Sequence, residues 1–376
     1  MAFTRLSEPF VESETPPKRP HLIIHRLTML CLGVALATLI VGAMALYQTR
    51  EDAWRQAEQQ STNLALALER DITRNLQIFD LSIQSAASAY NLPGVQAISP
   101  ALRHAALFDG SANAEFLGAI VIFDRNGDEV ADSMSPEGHK INIADRDYFR
   151  VHLGVDDVGL FVSRPFRSRV RGGDPSIGFS RRMTGPDGQF EGVVFGALRL
   201  AYFQHLFSRF NLGPNSTVTL LGDEGHIIAR FPYQADDIDR DVSRTPHFYH
   251  YATGPSGQFL GDAALDGVRR LFTFRRIGNL PLILSVNLSV DDIYADWWRQ
   301  ALIIGAVMTV LAGATLLLCF LLRHELSRRV AVEAVLTENA EKLVRIAATD
   351  GLTQLATRRV FDDRLAREWK RAMRSE

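Results

Sequence analysis

Two uninterrupted apolar stretches divide the chain. Residues 27–49 and 301–322 contain no charged side chain, and each is long enough to cross about 30 Å of hydrocarbon at a helical rise of about 1.5 Å per residue. Residues 50–90 contain neither Gly nor Pro, and Leu64, Leu68, Ile72, Leu76, Phe79, Ile83 and Tyr90 recur at steps of three, four and seven. That stripe predicts one long amphipathic helix, which Asn91, Leu92, Pro93 and Gly94 terminate.

Beyond the helix the period changes and repeats itself. Residues 120–131 (IVIFDRNGDEVA) and 218–229 (VTLLGDEGHIIA) each read as a strand, a tight Asp/Asn/Gly turn and a second strand. The same spacing of 98 residues separates Gly127 from Gly225 and Gly159 from Gly257. Residues 177–182 then correspond to 271–276, and 193–200 to 282–289, so the order of elements is shared and a duplicated module is expected. After the second apolar stretch, Val332, Leu336, Asn339, Leu343 and Ile346 form a short heptad seam. It fits a parallel dimeric coiled coil or an ordinary amphipathic linker.

Charge fixes the orientation. Lys18, Arg19 and Arg26 precede the first apolar stretch, and Arg323, Arg328 and Arg329 follow the second. Both basic flanks belong in the cytoplasm, which places the intervening region outside. Trp297 and Trp298 stand at the outer mouth of the second span, where such rings favour the interface. Ala43, Met44 and Ala45 would suit a signal-peptide cleavage, yet the apolar run exceeds the usual signal core; with either reading the middle region is extracytoplasmic. Residues 1–20 are polar, carry Pro9, Pro16, Pro17 and Pro20, and read as a disordered tail. With 41 basic and 43 acidic residues no global field points to nucleic acid. Cys31 and Cys319 lie inside the apolar runs, so a disulfide framework is excluded.

Residues 347–376 read AATDGLTQLATRRVFDDRLAREWKRAMRSE. Asp350, Leu352, Thr353, Leu355, Arg358 and Arg359 keep the spacing of a D-x-L-T-G-L-x-N-R-R element, with Gln354 in place of Gly and Thr357 in place of Asn. The segment resembles the opening of the GGDEF diguanylate cyclase family. That resemblance implies an output making cyclic dimeric GMP from GTP with Mg²⁺, Asp350 fixing the loop and Thr357 standing where an Asn contacts guanine. Ala366 falls where an acidic guanine contact is common. The family's metal-binding carboxylates come later than the residues present, so the domain is expected to be truncated after its first helix and this chain to be inactive, with no cofactor of its own. Gly172, Gly173 and Asp174 imitate the signature's first letters, but Pro175 follows and the segment is extracytoplasmic. It reads as a loop.

A long helix ahead of two such modules resembles the double Cache sensors of bacterial receptors. Asp145, Arg146, Asp147, Tyr148 and Phe149 with His152, the run from Gly178 to Arg182, and residues 188–194 carry the likeness. It implies that the membrane-distal module binds the ligand and that Arg146, Tyr148 and Phe149 line its pocket. A guanidinium can hold a carboxylate through two parallel hydrogen bonds while rings close over the ligand body. In amino-acid-binding relatives an Asp on a late strand takes the amino group; Ala197 is placed there, which disfavours an α-amino acid. Arg146 could instead pair with Asp145 or Asp147. His152, one helical turn past Tyr148, is a candidate contact or a packing residue. Arg164 and Arg181, within a basic cluster that also holds Arg167, Arg169, Arg171 and Arg182, suit an anionic ligand such as a dicarboxylate or merely a charged edge strand. No metal-ligand set is apparent; His247 and His250 lack a partner Cys or carboxylate pair.

The expected fold is α+β: the long helix, two PAS-like antiparallel modules, two transmembrane helices and a short helical tail. The expected divisions are a cytoplasmic tail 1–26, a first span 27–49, a sensor 50–296 (helix 50–92, distal module 93–212, proximal module 213–290), a second span 297–322, a signalling helix 323–346 and the GGDEF start 347–376. The expected protein is a multi-pass receptor of the bacterial inner membrane, homodimeric, of the diguanylate cyclase type. The alternatives are a sensor without enzymatic output and a fragment of an active cyclase.

Overall fold

The computed structural model describes residues 19–108, 117–154, 158–169, 173–185, 187–349 and 355–373. Most of the N-terminal tail, Arg171, Gly172, Asp350 and Gln354 lie outside those residues, as does the side chain of Arg358. The chain divides into two compact units, Thr49–Arg299, and Met1–Gln48 with Gln300–Glu376.

Helix α1 runs from Arg19 to Tyr90 and ends where the Asn-Leu-Pro-Gly sequence predicts. A shorter helix α2 spans Pro100–Phe108. The distal sheet then uses β1 (Leu117–Asp124), β2 (Glu129–Asp132), β3 (Phe161–Val162), β4 (Phe166–Arg167), β5 (Pro175–Thr184) and β6 (Phe190–Arg199). Its order is β2-β1-β6-β5-β3, with β4 also paired to β5, and every pairing is antiparallel. Helix α3 (Asp147–Arg150) lies between β2 and β3 in the chain, and α4 (Ala201–Ser208) leads to the second module.

The proximal sheet consists of β7 (Thr217–Gly222), β8 (Ile227–Phe231), β9 (Ser256–Asp262), β10 (Arg269–Arg276) and β11 (Leu282–Ser289), with α5 (Phe248–Ala252) before β9. Its order, β8-β7-β11-β10-β9, repeats that of the distal sheet. The duplication expected from residue spacing is therefore a duplication of topology, and the α+β architecture is as expected. The chain closes with α6 (Val290–Ala348) and α7 (Arg358–Ala372).

Alternation along the strands builds the core. Ala65, Leu68, Ile72, Leu76, Phe79 and Ile83 of α1 pack on Ile120, Ile122, Ile177, Phe179 and Val194 of the distal sheet and on Val218, Leu220, Leu282, Leu284 and Val286 of the proximal sheet. One helix face thus organises both modules, and removal of these side chains from water supplies the main driving force. A Cβ at Gly196 would come 2.5 Å from the Phe79 ring and 3.0 Å from Ile83, so the helix can approach β6 only over a residue without a side chain. The two ends of this unit meet where Trp297 Nε1 donates to Thr49 Oγ1 at 3.2 Å.

In the other unit, α1 and α6 each carry a stretch long and apolar enough to cross a membrane. Their large apolar side chains, among them Leu30, Leu36, Ile40, Leu302, Val310 and Phe320, are exposed in the single chain. Such surface is stable in lipid and not in water.

Candidate ligand-binding site

The face of the distal sheet turned away from α1 carries an aromatic cluster. On β6, Val193, Phe195 and Ala197 point to it, while Val194 and Leu198 point to α1. Tyr148 of α3 stacks on Phe195 with ring centroids 4.4 Å apart and an interplanar angle of 28°, and Phe166 stands 5.7 Å from Tyr148 and 6.0 Å from Phe195. Phe149 meets Phe190 edge to face at 5.8 Å. Gly178 on β5 makes the room: a Cβ there would fall 2.4 Å from the Phe195 ring. Burial pushes the Tyr148 pKa up to about 12, so its hydroxyl stays protonated and able to donate a hydrogen bond.

Arg146 precedes α3 with extended backbone angles and lays its guanidinium 6.0 Å from the Phe166 ring centroid. Its Nε is buried and donates to no acceptor among the described residues. Neither neighbouring aspartate takes it. Asp145 is held by Arg169 through contacts of 2.8 and 3.4 Å, and that hydrogen bond, followed by the Arg169 charge, holds its carboxyl below the usual range. Asp147 Oδ1 accepts the Tyr148 backbone N–H at 2.8 Å.

The structure thus brings Arg146, Tyr148 and Phe149 together and engages the other expected members elsewhere. His152 is fully buried, with Nε2 2.9 Å from Ser180 Oγ and its carbonyl accepting from Arg182 at 2.5 Å. Those contacts hold its ring beside the cluster. Arg181 points to the opposite face, where Nε and Nη2 donate to both oxygens of Asp80 on α1 at 2.5 and 2.8 Å. Adjacent residues of a strand face opposite ways, so Arg181 and Arg182 cannot both reach the cluster. Arg164 donates to Glu224 at 2.8 Å across a cleft of about 700 Å³ between the two modules.

The sequence reading missed a second polar cluster. In the proximal module Arg230 and Arg270 are buried beside a cavity of about 60 Å³ that Thr217, Tyr251 and Asn287 help to line. Arg230 donates to Asp237 at 2.9 Å and to Asp266 at 3.0 Å, and Arg270 donates to both oxygens of Asp266 at 2.6 and 2.9 Å. A lone Arg amid apolar strand residues was the available signal, since a basic residue there needs a partner when buried.

Two sheet modules behind one long helix, with the cluster on the outer face of the first, define a Cache-type sensor of extracytoplasmic ligands. The chain belongs to the dCache_1 Cache domain family, whose profile matches residues 49–297. Among solved structures it is similar to the extracellular domain of rpHK1S-Z16, described as a histidine kinase, at 26% identity and a TM-score of 0.55, covering 65% of this chain and 99% of that one. The ligand-binding domain of the Pseudomonas fluorescens chemoreceptor CtaA, in complex with L-isoleucine, aligns at 16% identity and a TM-score of 0.50 over 66% of this chain and 99% of that one. That of the Pseudomonas aeruginosa PAO1 amino acid chemoreceptor PctB, with L-Gln, does so at 16% and 0.50 over 63% and 92%. These last two likenesses concern the fold. No curated protein matches the chain.

Proposed function

We propose that this protein is a membrane receptor whose distal Cache module binds a small anion between Arg146 and the rings of Tyr148, Phe166 and Phe195. The carrying observation is the Nε of Arg146, buried and without an acceptor among the described residues. A buried donor left without an acceptor costs about 1–3 kcal/mol, and a ligand oxygen would recover it. Tyr148 adds a second donor above an apolar floor. Ala197, on the same face as Phe195, offers no carboxylate to an ammonium group, so the amino acids named with CtaA and PctB are expected to bind poorly here. The test is thermal denaturation of the detergent-solubilised chain with succinate, L-isoleucine and L-glutamine. Succinate at a hundred times its Kd should stabilise by about 2.7 kcal/mol. Stabilisation by the amino acids alone would refute the anion assignment.

In this reading residues 27–49 and 297–322 cross the bacterial inner membrane, with 1–26 and 323–376 cytoplasmic. Ligand binding shifts the membrane helices relative to one another, and α6 carries that shift inward. The output is of the diguanylate cyclase type, a reading supported by the placement of α7. It starts at Arg358, directly after Thr357, whose backbone N–H donates to Ala348 at 3.0 Å; the GGDEF resemblance expects its first helix there. Val332, Leu336, Leu343 and Ile346 are exposed in the single chain, and a second copy would cover them. Replacing Leu336 and Leu343 together by Asp is expected to convert a dimer to a monomer in light scattering. A dimer that persists unchanged would remove the seam from the assembly.

A further inference from the structure

Folding gathers a ligand set that sequence spacing hides. Glu129 and Asp132 of β2 and His139 of the loop that follows place one ligand atom each within 4.8 Å of the others. The loop wraps both carboxylates. Glu129 Oε1 accepts the His139 backbone N–H at 2.8 Å and Oε2 that of Ile141 at 3.3 Å. Asp132 Oδ1 accepts the Met134 N–H at 2.8 Å, and its Oδ2 lies 2.7 Å from His139 Nδ1. The approach is close enough that Gly138, at φ 68°, has no room for a side chain: a Cβ would meet Glu129 Oε1 at 2.7 Å.

The charges do not balance. Asp132 has only 2% of its side chain exposed. Other sheltered aspartates of this chain have guanidinium partners: Asp80 has Arg181, Asp237 has Arg230, and Asp266 has Arg230 and Arg270. Among the described residues neither Asp132 nor Glu129 forms an ion pair with Lys or Arg; Asp132 has only His139, which is charged only when protonated. Two carboxylates this close, one of them sheltered from water, repel each other, and a cation between them would relieve that repulsion.

We propose that Glu129, Asp132 and His139 bind a first-row divalent cation of the Zn²⁺ type through one imidazole nitrogen and two carboxylates. Imidazole suits Zn²⁺ and its neighbours, whereas Mg²⁺ and Ca²⁺ prefer oxygen alone. Nδ1 of His139 is the coordinating nitrogen, because it faces Asp132. Zn–N and Zn–O bonds of about 2.0–2.2 Å separate two tetrahedral ligands by roughly 3.3 Å. The Nδ1 to Oδ2 contact would therefore open slightly, which the half-exposed ring on a loop can accommodate. The site stands on β2, at the edge of the distal sheet. It would clamp the loop that feeds Ile141 and Ile143 into the aromatic cluster and leads on to Arg146.

The test is isothermal titration of the EDTA-stripped, detergent-solubilised chain with ZnCl₂ and, separately, MgCl₂. One Zn²⁺ per chain should bind in the micromolar range or tighter, with Mg²⁺ much weaker. His139→Ala should weaken Zn²⁺ by about tenfold or more, and Glu129→Gln, which keeps the shape of the side chain, should act in the same direction. His247→Ala should leave the binding unchanged, since His247 stacks beside His250 in the proximal module and contributes nothing to the group on β2. X-ray absorption should show one imidazole among oxygen ligands. Absence of binding, Zn²⁺ affinity indifferent to His139→Ala, or loss of binding in His247→Ala would each overturn the site.

Discussion

Arg146→Ala is expected to abolish the stabilisation that succinate confers on the wild-type chain. Truncating one member of a sheltered, hydrogen-bonded charge pair costs about 2–5 kcal/mol, roughly thirty- to several-thousand-fold in Kd. Lysine at the same position keeps the charge but loses the planar fork that grips two oxygens, so Arg146→Lys should retain weak binding at intermediate affinity. Stability without ligand should hardly fall in either variant. Among the described residues the wild-type side chain has no ion pair to lose, since Arg169 already holds Asp145, and a buried donor without an acceptor disappears with it. A variant that binds succinate as tightly as wild type would remove Arg146 from the pocket. Loss of binding together with a large fall in the ligand-free melting temperature would mean that the side chain supports the fold instead.

Tyr148, Phe166 and Phe195 already touch one another, so a ligand does not enter an open chamber. It must lie over the stack or part it. Gly178 gives Phe195 the room to sit there, and Ala197 leaves the floor beside it apolar. In the proposed site, selectivity would rest on the anion and on a small body rather than on an ammonium group.

How far the sequence foretold this arrangement depends on the range of the interaction. The α1 stripe, the two hairpins and the repeated strand order are properties of short periods, and they survive folding because the buried face of each element is set by spacing alone. Arg146, Tyr148 and Phe149 were also legible, being neighbours on one turn. Arg181 was not, because its partner Asp80 is 101 residues away on the helix behind the sheet. Arg164 likewise turns to Glu224, 60 residues later in the other module. Both arginines look equivalent to Arg146 in composition; only tertiary pairing separates a residue that has a carboxylate from one that lacks it. The alternation rule could have divided Arg181 from Arg182 beforehand, since one of any adjacent pair on β5 must face α1. The Glu129, Asp132 and His139 group escaped for a related reason. Its members are spaced three and seven apart, a spacing that signals a metal site only once the loop has folded back over β2.

The buried network of the proximal module carries the largest expected effect on stability. Arg230→Ala leaves Asp237, with 5% of its side chain exposed, facing Arg240 at 3.9 Å. Breaking a buried pair by removing one partner costs about 3–5 kcal/mol because the other charge remains sheltered. Chemical denaturation of the solubilised chain should show that loss at neutral pH, and a change below about 1 kcal/mol would mean that water or rearrangement solvates Asp237. Acid separates the roles of the two arginines. Desolvation alone would raise the Asp266 carboxyl, but the Arg270 hydrogen bond, a backbone N–H from Val268 and the charges of Arg270 and Arg230 outweigh it and hold the pKa below its ordinary 3.8. A carboxylate depressed on folding contributes stability that is present above its unfolded pKa and is lost as pH falls through the folded one. Wild-type stability should therefore decline as pH drops below about 4. Because the strongest stabilising partner of Asp266 is Arg270, Arg270→Ala should flatten that decline more than Arg230→Ala does. Equal acid limbs in the two variants would show that Asp266 draws on both guanidinium groups alike.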